Sequence, residues 1–448
     1  MNRIKSIKYF VTLLLTIQSF SFIFSQPTKT PQWAFNKTIY EVNLRQYTEE
    51  GTFKAFENHL PRLKELGVDI LWLMPIHPIG ELNRKGSLGS YYSVKDYLEI
   101  NPEFGNKSDF KNLVDKIHAL GMYVIIDWVA NHTAWDHPWT KSNPDFYTKD
   151  KNGNFIPPVD DWSDVIDLNY DNKTLWQEMI NALKYWVKEF NIDGYRCDVA
   201  GMVPVEFWIE ARKQLDEIKP VFMLAEWDTP EMHKAFDMTY DWESHKLMNR
   251  IAKGENNVLD LIKHLKSDRE RYPSTAFRMQ FTDNHDENSW NGTVFERLGD
   301  AAEAFAVLTF LIPDMPLIYN GQEAGLNKRL SFFEKDQIEW KNHKFFNLYK
   351  SLCDLKKSNE VLHCGDKGGD LKFITNNNQK NILTLVRVKD DKKVFAVFNF
   401  SNAPSKVFVN DNQISDLYID FTTMKEIRIS ELFETELEAW SWKLFLTN

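Results

Sequence analysis

Between residues 38 and 320 the chain repeats one unit, a short run of bulky apolar residues followed by a longer amphipathic segment. The apolar runs occupy 38–44, 70–75, 123–129, 194–199, 221–227, 238–241, 278–282 and 317–320. Between them apolar residues recur at helical spacing over 53–66, 108–120, 175–190, 204–218, 243–271 (in two pieces) and 300–311. Continuously apolar strands bury both faces, which suits a parallel sheet sheathed by helices. The pattern predicts an α/β fold, a (β/α)8 TIM barrel, and its span of roughly 280 residues suits that architecture. A doubly wound open sheet competes, but no GxGxxG opens a helix after a first strand.

Two stretches break the rhythm. After the third run about 40 residues rich in Asn, Asp, Pro and Trp precede the next helix, and so long a connection inside a compact domain is usually functional. It predicts a small irregular subdomain, about 133–170, inserted after strand 3 over the barrel mouth. Beyond a last helix at 341–357 the period changes to two, over 381–389, 393–401, 406–410 and 440–446. There Trp440, Trp442, Leu444 and Leu446 alternate with Ser441, Lys443 and Phe445, predicting a C-terminal all-β sandwich. The expected division is a signal peptide at 1–25, a catalytic barrel at 26–358 and the sandwich at 359–448.

The first residues read as an export signal. Arg3, Lys5 and Lys8 precede an apolar run at 10–24 that is too short to span a bilayer, with cleavage expected after Ser21 or Ser25. The mature form is therefore expected to be periplasmic or secreted, with no membrane association. A net charge of -10 argues against a nucleic-acid partner. Three cysteines make no disulfide framework, and the absence of CxxC removes thiol redox chemistry. Cys197 reads as a buried small hydrophobe; Cys353 and Cys364 are expected either to pair or to stay free.

The stretch 192–199 carries the strongest chemical signal. Side chains alternate along a strand, so Arg196 and Asp198 share a face. A charged pair within an apolar strand is costly unless the ions satisfy each other or do chemistry. Barrel enzymes place their chemistry at the carboxyl ends of strands. Those ends hold Asp127, Asn131 and His132 in the third run, Arg196 and Asp198 in the fourth, Glu226 in the fifth, and His285 and Asp286 past the seventh. Any one of these residues alone is better read as structural. Four acids and two histidines converging on one rim are not.

These residues sit in ordered motifs: Asp-Trp-Val-Ala-Asn-His at 127–132, Gly-Tyr-Arg-Cys-Asp at 194–198, Leu-Ala-Glu at 224–226 and Thr-Asp-Asn-His-Asp at 282–286. With Tyr92, the segment 166–169 and Gly-Gln-Glu at 321–323, the mature chain resembles the alpha-amylase family of glycoside hydrolases. The resemblance implies a retaining mechanism with Asp198 as nucleophile, Glu226 as general acid/base and Asp286 as stabiliser of the transition state. It further implies substrate binding by Tyr92, His132, Arg196 and His285, with Asp127 supporting Arg196. Trp162, Trp227 and Trp290 are candidates for stacking on sugars. In many relatives a structural calcium is bound at the positions of Asn131 and Asp167, together with a backbone carbonyl near Gly201–Met202. No organic cofactor is implied. The expected partner is an α-glucan or malto-oligosaccharide, cut at α-1,4 bonds. Transglycosylation and exo-action on short α-glucosides are the alternatives within this chemistry. A non-catalytic binding or transporter-partner barrel predicts a missing acid among the three, and all are present.

Overall fold

In a computed structural model, which describes residues 30–447, the eight apolar runs close into one barrel. Its strands are β1 (Ile39–Val42), β2 (Ile70–Leu73), β3 (Tyr123–Trp128), β4 (Gly194–Cys197), β5 (Phe222–Ala225), β6 (Met238–Tyr240), β7 (Phe277–Gln280) and β8 (Met315–Tyr319). All pairings are parallel, the ring follows chain order, and β8 closes onto β1. Alternate residues divide between two cores. Ile39, Ile70, Trp72, Ile125, Leu224 and Met279 fill the barrel, whereas Tyr40, Leu71, Val124, Tyr195 and Met223 pack outward under the helices. Gly194 makes the β4–β5 contact possible, since a Cβ there would lie 1.8 Å from the Phe222 carbonyl oxygen.

Several boundaries differ from the sequence expectation for local reasons. The helix expected over 53–66 is two, Phe53–Glu57 and Leu60–Leu66. Pro61 cannot donate to the carbonyl four residues back, that of Glu57, so the first helix stops there. The first strand ends at Val42 because Leu44–Tyr47 already coils. Between β5 and β6 the only helical element is the 3-10 turn Pro230–Lys234. The 243–271 region does split, into Trp242–Ala252 and Val258–Arg271, the second opened by a capping box of Asn257 and Asp260.

The inserted subdomain is a ribbon of His132–Ala134 paired antiparallel with Val165–Asp167, joined through the short helix Trp139–Ser142. Tyr97 ties it to the barrel, its hydroxyl lying 2.7 Å from the Val129 carbonyl oxygen just past β3 and 3.2 Å from that of His132 in the ribbon.

The C-terminal part holds eight strands, four more than the period-two runs predicted. Six form one antiparallel sheet, and Ser405–Asn410 and Leu432–Leu437 form a ribbon across it. Phe395, Val397 and Phe445 face the ribbon core, while Ala396, Phe398 and Leu444 face the barrel's outer helices. On that side Phe400 stacks on Phe305 with ring centroids 4.4 Å apart. Trp440 is corrected: it sits at φ 52° in a turn, and the last strand begins at Trp442.

All three cysteines are free and buried, so Cys353 and Cys364 are not paired. The export signal lies outside the described residues. Among the described residues no helix is long and apolar enough to cross a membrane.

Candidate active site

Arg196 organises the barrel mouth. It is fully buried in β4, and its Nη1 lies 2.9 Å from Asp127 Oδ1 and 3.1 Å from Asp198 Oδ1. Its Nη2 lies 2.9 Å from Glu226 Oε2, a charge contact without good hydrogen-bond alignment. One guanidinium therefore meets three carboxylates supplied by the adjacent strands β3, β4 and β5. A charge buried this deeply is tolerable only with such partners. Arg196 and Asp198 share a face, as strand alternation predicted. Asp127 also accepts from Trp72 Nε1 at 3.1 Å and from the Tyr92 hydroxyl at 3.2 Å, so it braces Arg196 from below.

Glu226 is held beside Asp198 by the backbone. Its Oε2 accepts the Val199 N–H at 2.8 Å, and Val199 directly follows Asp198. Val199 adopts φ 36°, ψ 47°, a left-handed conformation that strains a β-branched residue. The strain falls where the chain must turn its N–H toward Glu226.

The two histidines, alike in sequence, differ in charge. Burial alone dominates His132 and pulls it down to about 3, so it is neutral. Burial also lowers His285, but Asp286 and Glu41 together outweigh it and push it up to about 9. His285 Nδ1 lies 2.5 Å from Glu41 Oε1, and its Nε2 is 2.8 Å from the Tyr92 hydroxyl and 3.3 Å from Asp286 Oδ2. A protonated His285 thus donates to Glu41 and to Tyr92, and the Tyr92 hydroxyl in turn donates a hydrogen bond to Asp127.

Glu41 was not among the sequence candidates, because it lies within β1 rather than at its carboxyl end. Its signal was register: two residues after inward-facing Ile39, it too points inward. It is fully buried, and its Oε2 has no hydrogen-bond partner among the described residues.

Five carboxyl groups (Glu41, Asp127, Asp198, Glu226 and Asp286) thus surround two cations, Arg196 and His285. Burial and the facing Glu226 raise Asp198 well above the ordinary carboxylate range, with Arg196 opposing. A surplus of negative charge at one spot can hold a shared proton and stabilise a developing cation.

Above this cluster lies a cleft of about 460 Å³, lined by Tyr92, His132, Asp198, Glu226, His285 and Asp286. Trp162 and Trp290 line it as well, and Trp162 meets the His132 ring edge-on at 5.5 Å. Trp227 does not line it; its ring packs over Gly201, where a Cβ would lie 2.1 Å away. Lys85, Asp161, Asp164, Phe332 and Phe333 also line it and were not anticipated, since they lie outside the motifs of their loops.

Asn131 and Asp167 fit a hard cation in kind. Asp167 pairs in register with His132, next to Asn131. Burial raises the Asp167 carboxyl, with a hydrogen bond from Thr148 opposing it and no cationic side chain among the described residues doing so, while the Asn131 amide nitrogen turns to His132 Nδ1 at 3.3 Å. These are the oxygen donors calcium prefers.

A closed parallel barrel with facing carboxyl groups at the carboxyl ends of its strands defines a glycosidase-type site. The sequence matches the alpha-amylase catalytic domain over residues 18–161 and 159–351. A maltogenic alpha-amylase from Thermotoga neapolitana superposes with a TM-score of 0.85 at 32% identity, covering 92% of this chain and 98% of that one. An alpha-amylase from Lactobacillus plantarum gives 0.83 at 32% identity, covering 92% and 99%. Alpha-amylase 2 of Dictyoglomus thermophilum is 26% identical over 416 residues, 82% of this chain and 72% of the relative. The chain belongs to the alpha-amylase family and is a glycosidase.

Proposed function

We propose that the protein is an exported hydrolase that cuts α-1,4-glucosidic bonds of starch-type glucans or malto-oligosaccharides by a retaining double displacement. One observation carries the mechanism: Arg196 touches both Asp198 and Glu226. Retention requires two carboxyl groups about 5 Å apart, one as nucleophile and one as proton donor. A shared guanidinium, with the Val199 N–H on Glu226, supports such a pairing by holding the two carboxyl groups side by side.

Double displacement calls for Asp198 as the carboxylate and Glu226 as the acid. Asp198 attacks the anomeric carbon while Glu226 gives its proton to the departing glycosidic oxygen, leaving a glycosyl ester on Asp198. Glu226, now a carboxylate, takes a proton from water. The water oxygen attacks the same carbon and releases Asp198. Asp286 and the cationic His285 hold hydroxyls of the distorted ring, neutral His132 contributes a further polar contact, and Tyr92 lies beneath the ring. The substrate reading draws on the family and on the relatives' names.

Transglycosylation shares the first step and differs in the acceptor. The rings of Trp162 and Trp290 beside the cleft favour it as the second reading, because aromatic faces can hold an acceptor sugar. We also propose that Asn131 and Asp167 contribute to a structural calcium site; bound there, the ion would brace the subdomain against the barrel.

Chromatography of products from starch, maltotriose, trehalose, sucrose and pullulan tests the substrate and the balance of water against sugar as acceptor. NMR of the first product tests the stereochemistry: α-anomer is expected, and β-anomer rules out double displacement. Mass analysis of the mature secreted protein tests export, with loss of residues through Ser21 or Ser25 expected.

A further inference from the structure

The barrel's circular order fixes the direction of the cleft. Glu226 follows β5, and the loops after β2 and β8 lie across the ring from it. The leaving group departs toward Glu226, so the glycone runs toward the opposite rim, over Tyr92 and past Phe332, whose ring lies parallel to that of Tyr92 at 6.2 Å.

That rim is closed. The loop following β2 crosses it and is tied on both sides. Toward the subdomain, Lys85 Nζ donates to the Asp161 carbonyl at 2.7 Å and pairs with Asp164 Oδ1 at 3.2 Å. Toward the β8 loop, the Ser87 N–H donates to Glu334 Oε1 at 2.8 Å, the Ser87 hydroxyl donates to Glu334 Oε2, and the Leu88 N–H reaches the Phe333 carbonyl at 3.2 Å. At Gly86 the backbone comes so close to Phe333 that a Cβ would lie 2.5 Å from the Phe333 Cβ. Exposed ion pairs hold little by themselves. Here the loop base is anchored by fully buried Arg45, which donates to the Gly89 carbonyl at 3.1 Å and pairs with Glu103 at 2.8 Å. The β8 loop is fixed in turn by Gln46, whose Nε2 donates to the Ser331 and Glu334 carbonyls at 2.8 and 2.9 Å.

We propose that this bridge, built on Lys85, Ser87 and Glu334, is a wall at the glycone end of the cleft, so that the enzyme works inward from non-reducing chain ends and releases short malto-oligosaccharides. The cleft agrees in size and lining, since about 460 Å³ lies toward the small end of ligand sites and Lys85, Phe332 and Phe333 form part of its wall. The inference rests on the proposed glucan hydrolysis and specifies its mode of attack.

The experiment compares two chromogenic maltoheptaosides carrying the same reducing-end reporter, one free and one acetal-blocked at the non-reducing end. The wild type is expected to favour the free substrate by about 100-fold, because a wall excludes by clash. The double variant Lys85→Ala, Glu334→Ala is expected to reduce that preference to about 10-fold or less. Equal cleavage of both substrates by the wild type overturns the wall and leaves the hydrolase reading intact. Cleavage of neither by the wild type overturns the hydrolase reading, and the wall with it. Rejection of the blocked substrate by wild type and double variant alike overturns the assignment to Lys85 and Glu334.

Discussion

Glu41→Gln removes one of the anions that keep His285 charged while preserving the volume and the hydrogen-bond acceptor at Nδ1. In the wild type His285 is raised from 6.5 to about 9, which corresponds to about 3 kcal/mol of linked stability at 1.36 kcal/mol per unit. For a histidine raised on folding, that contribution is fully present below pH 6.5 and lost as the pH rises through about 9. Wild-type stability should therefore decline over this window on account of His285. In Glu41→Gln burial and Arg196 oppose the charge, and Asp286, with a smaller contribution from Asp127, favours it, so less than about half of the decline attributable to His285 should remain. Urea unfolding at pH 6.5, 7.5, 8.5 and 9.5 gives both curves, and their difference cancels every group the substitution leaves alone. The relevant quantity is the slope rather than the offset, because burial also raises Glu41 and its removal relieves that cost. At neutral pH kcat/KM should fall about 10-fold, as expected when a buried charge-assisted hydrogen bond is weakened to a neutral one. Parallel stability curves for the two proteins would refute the claim that Glu41 sets the charge of His285.

Asp198→Asn should cut turnover by several orders of magnitude with little change in melting temperature, since it removes the nucleophile and keeps the volume; near-normal kcat measured on maltotetraose would contradict the double displacement. Gly194→Ala should destabilise by about 3 kcal/mol or more, because no rotamer relieves a Cβ set against a neighbouring strand's carbonyl; thermal unfolding reads this directly. Chelation with EDTA should lower the melting temperature and added calcium should restore it, with Asp167→Asn abolishing the calcium response; a wild-type melting temperature indifferent to both additions would remove the proposed ion.

Features that follow from local periodicity were legible in the chain. Eight apolar runs with intervening helices require a parallel sheet sheathed by helices, because strands apolar on both faces must be covered on both, and their number and span favour a closed barrel. Alternation put Arg196 and Asp198 on one face, and position at strand ends gathered Asp198, Glu226, His285 and Asp286 at one rim. The broken helix at Glu57 was also written locally, in Pro61, although the periodic pattern hid it. Tertiary structure decided whatever depended on partners distant in sequence. Glu41 meets His285 across 244 residues, which makes one histidine a cation while His132, of the same residue type and also buried, stays neutral. The four unpredicted C-terminal strands are short and partly exposed, so neighbouring strands rather than their own pattern stabilise them. The proposed wall of Lys85, Ser87 and Glu334 joins three loops through residues that belong to none of the motifs. A side chain's face is set by its own strand, but its charge, its neighbours and the space in front of it are set by what the fold brings from elsewhere.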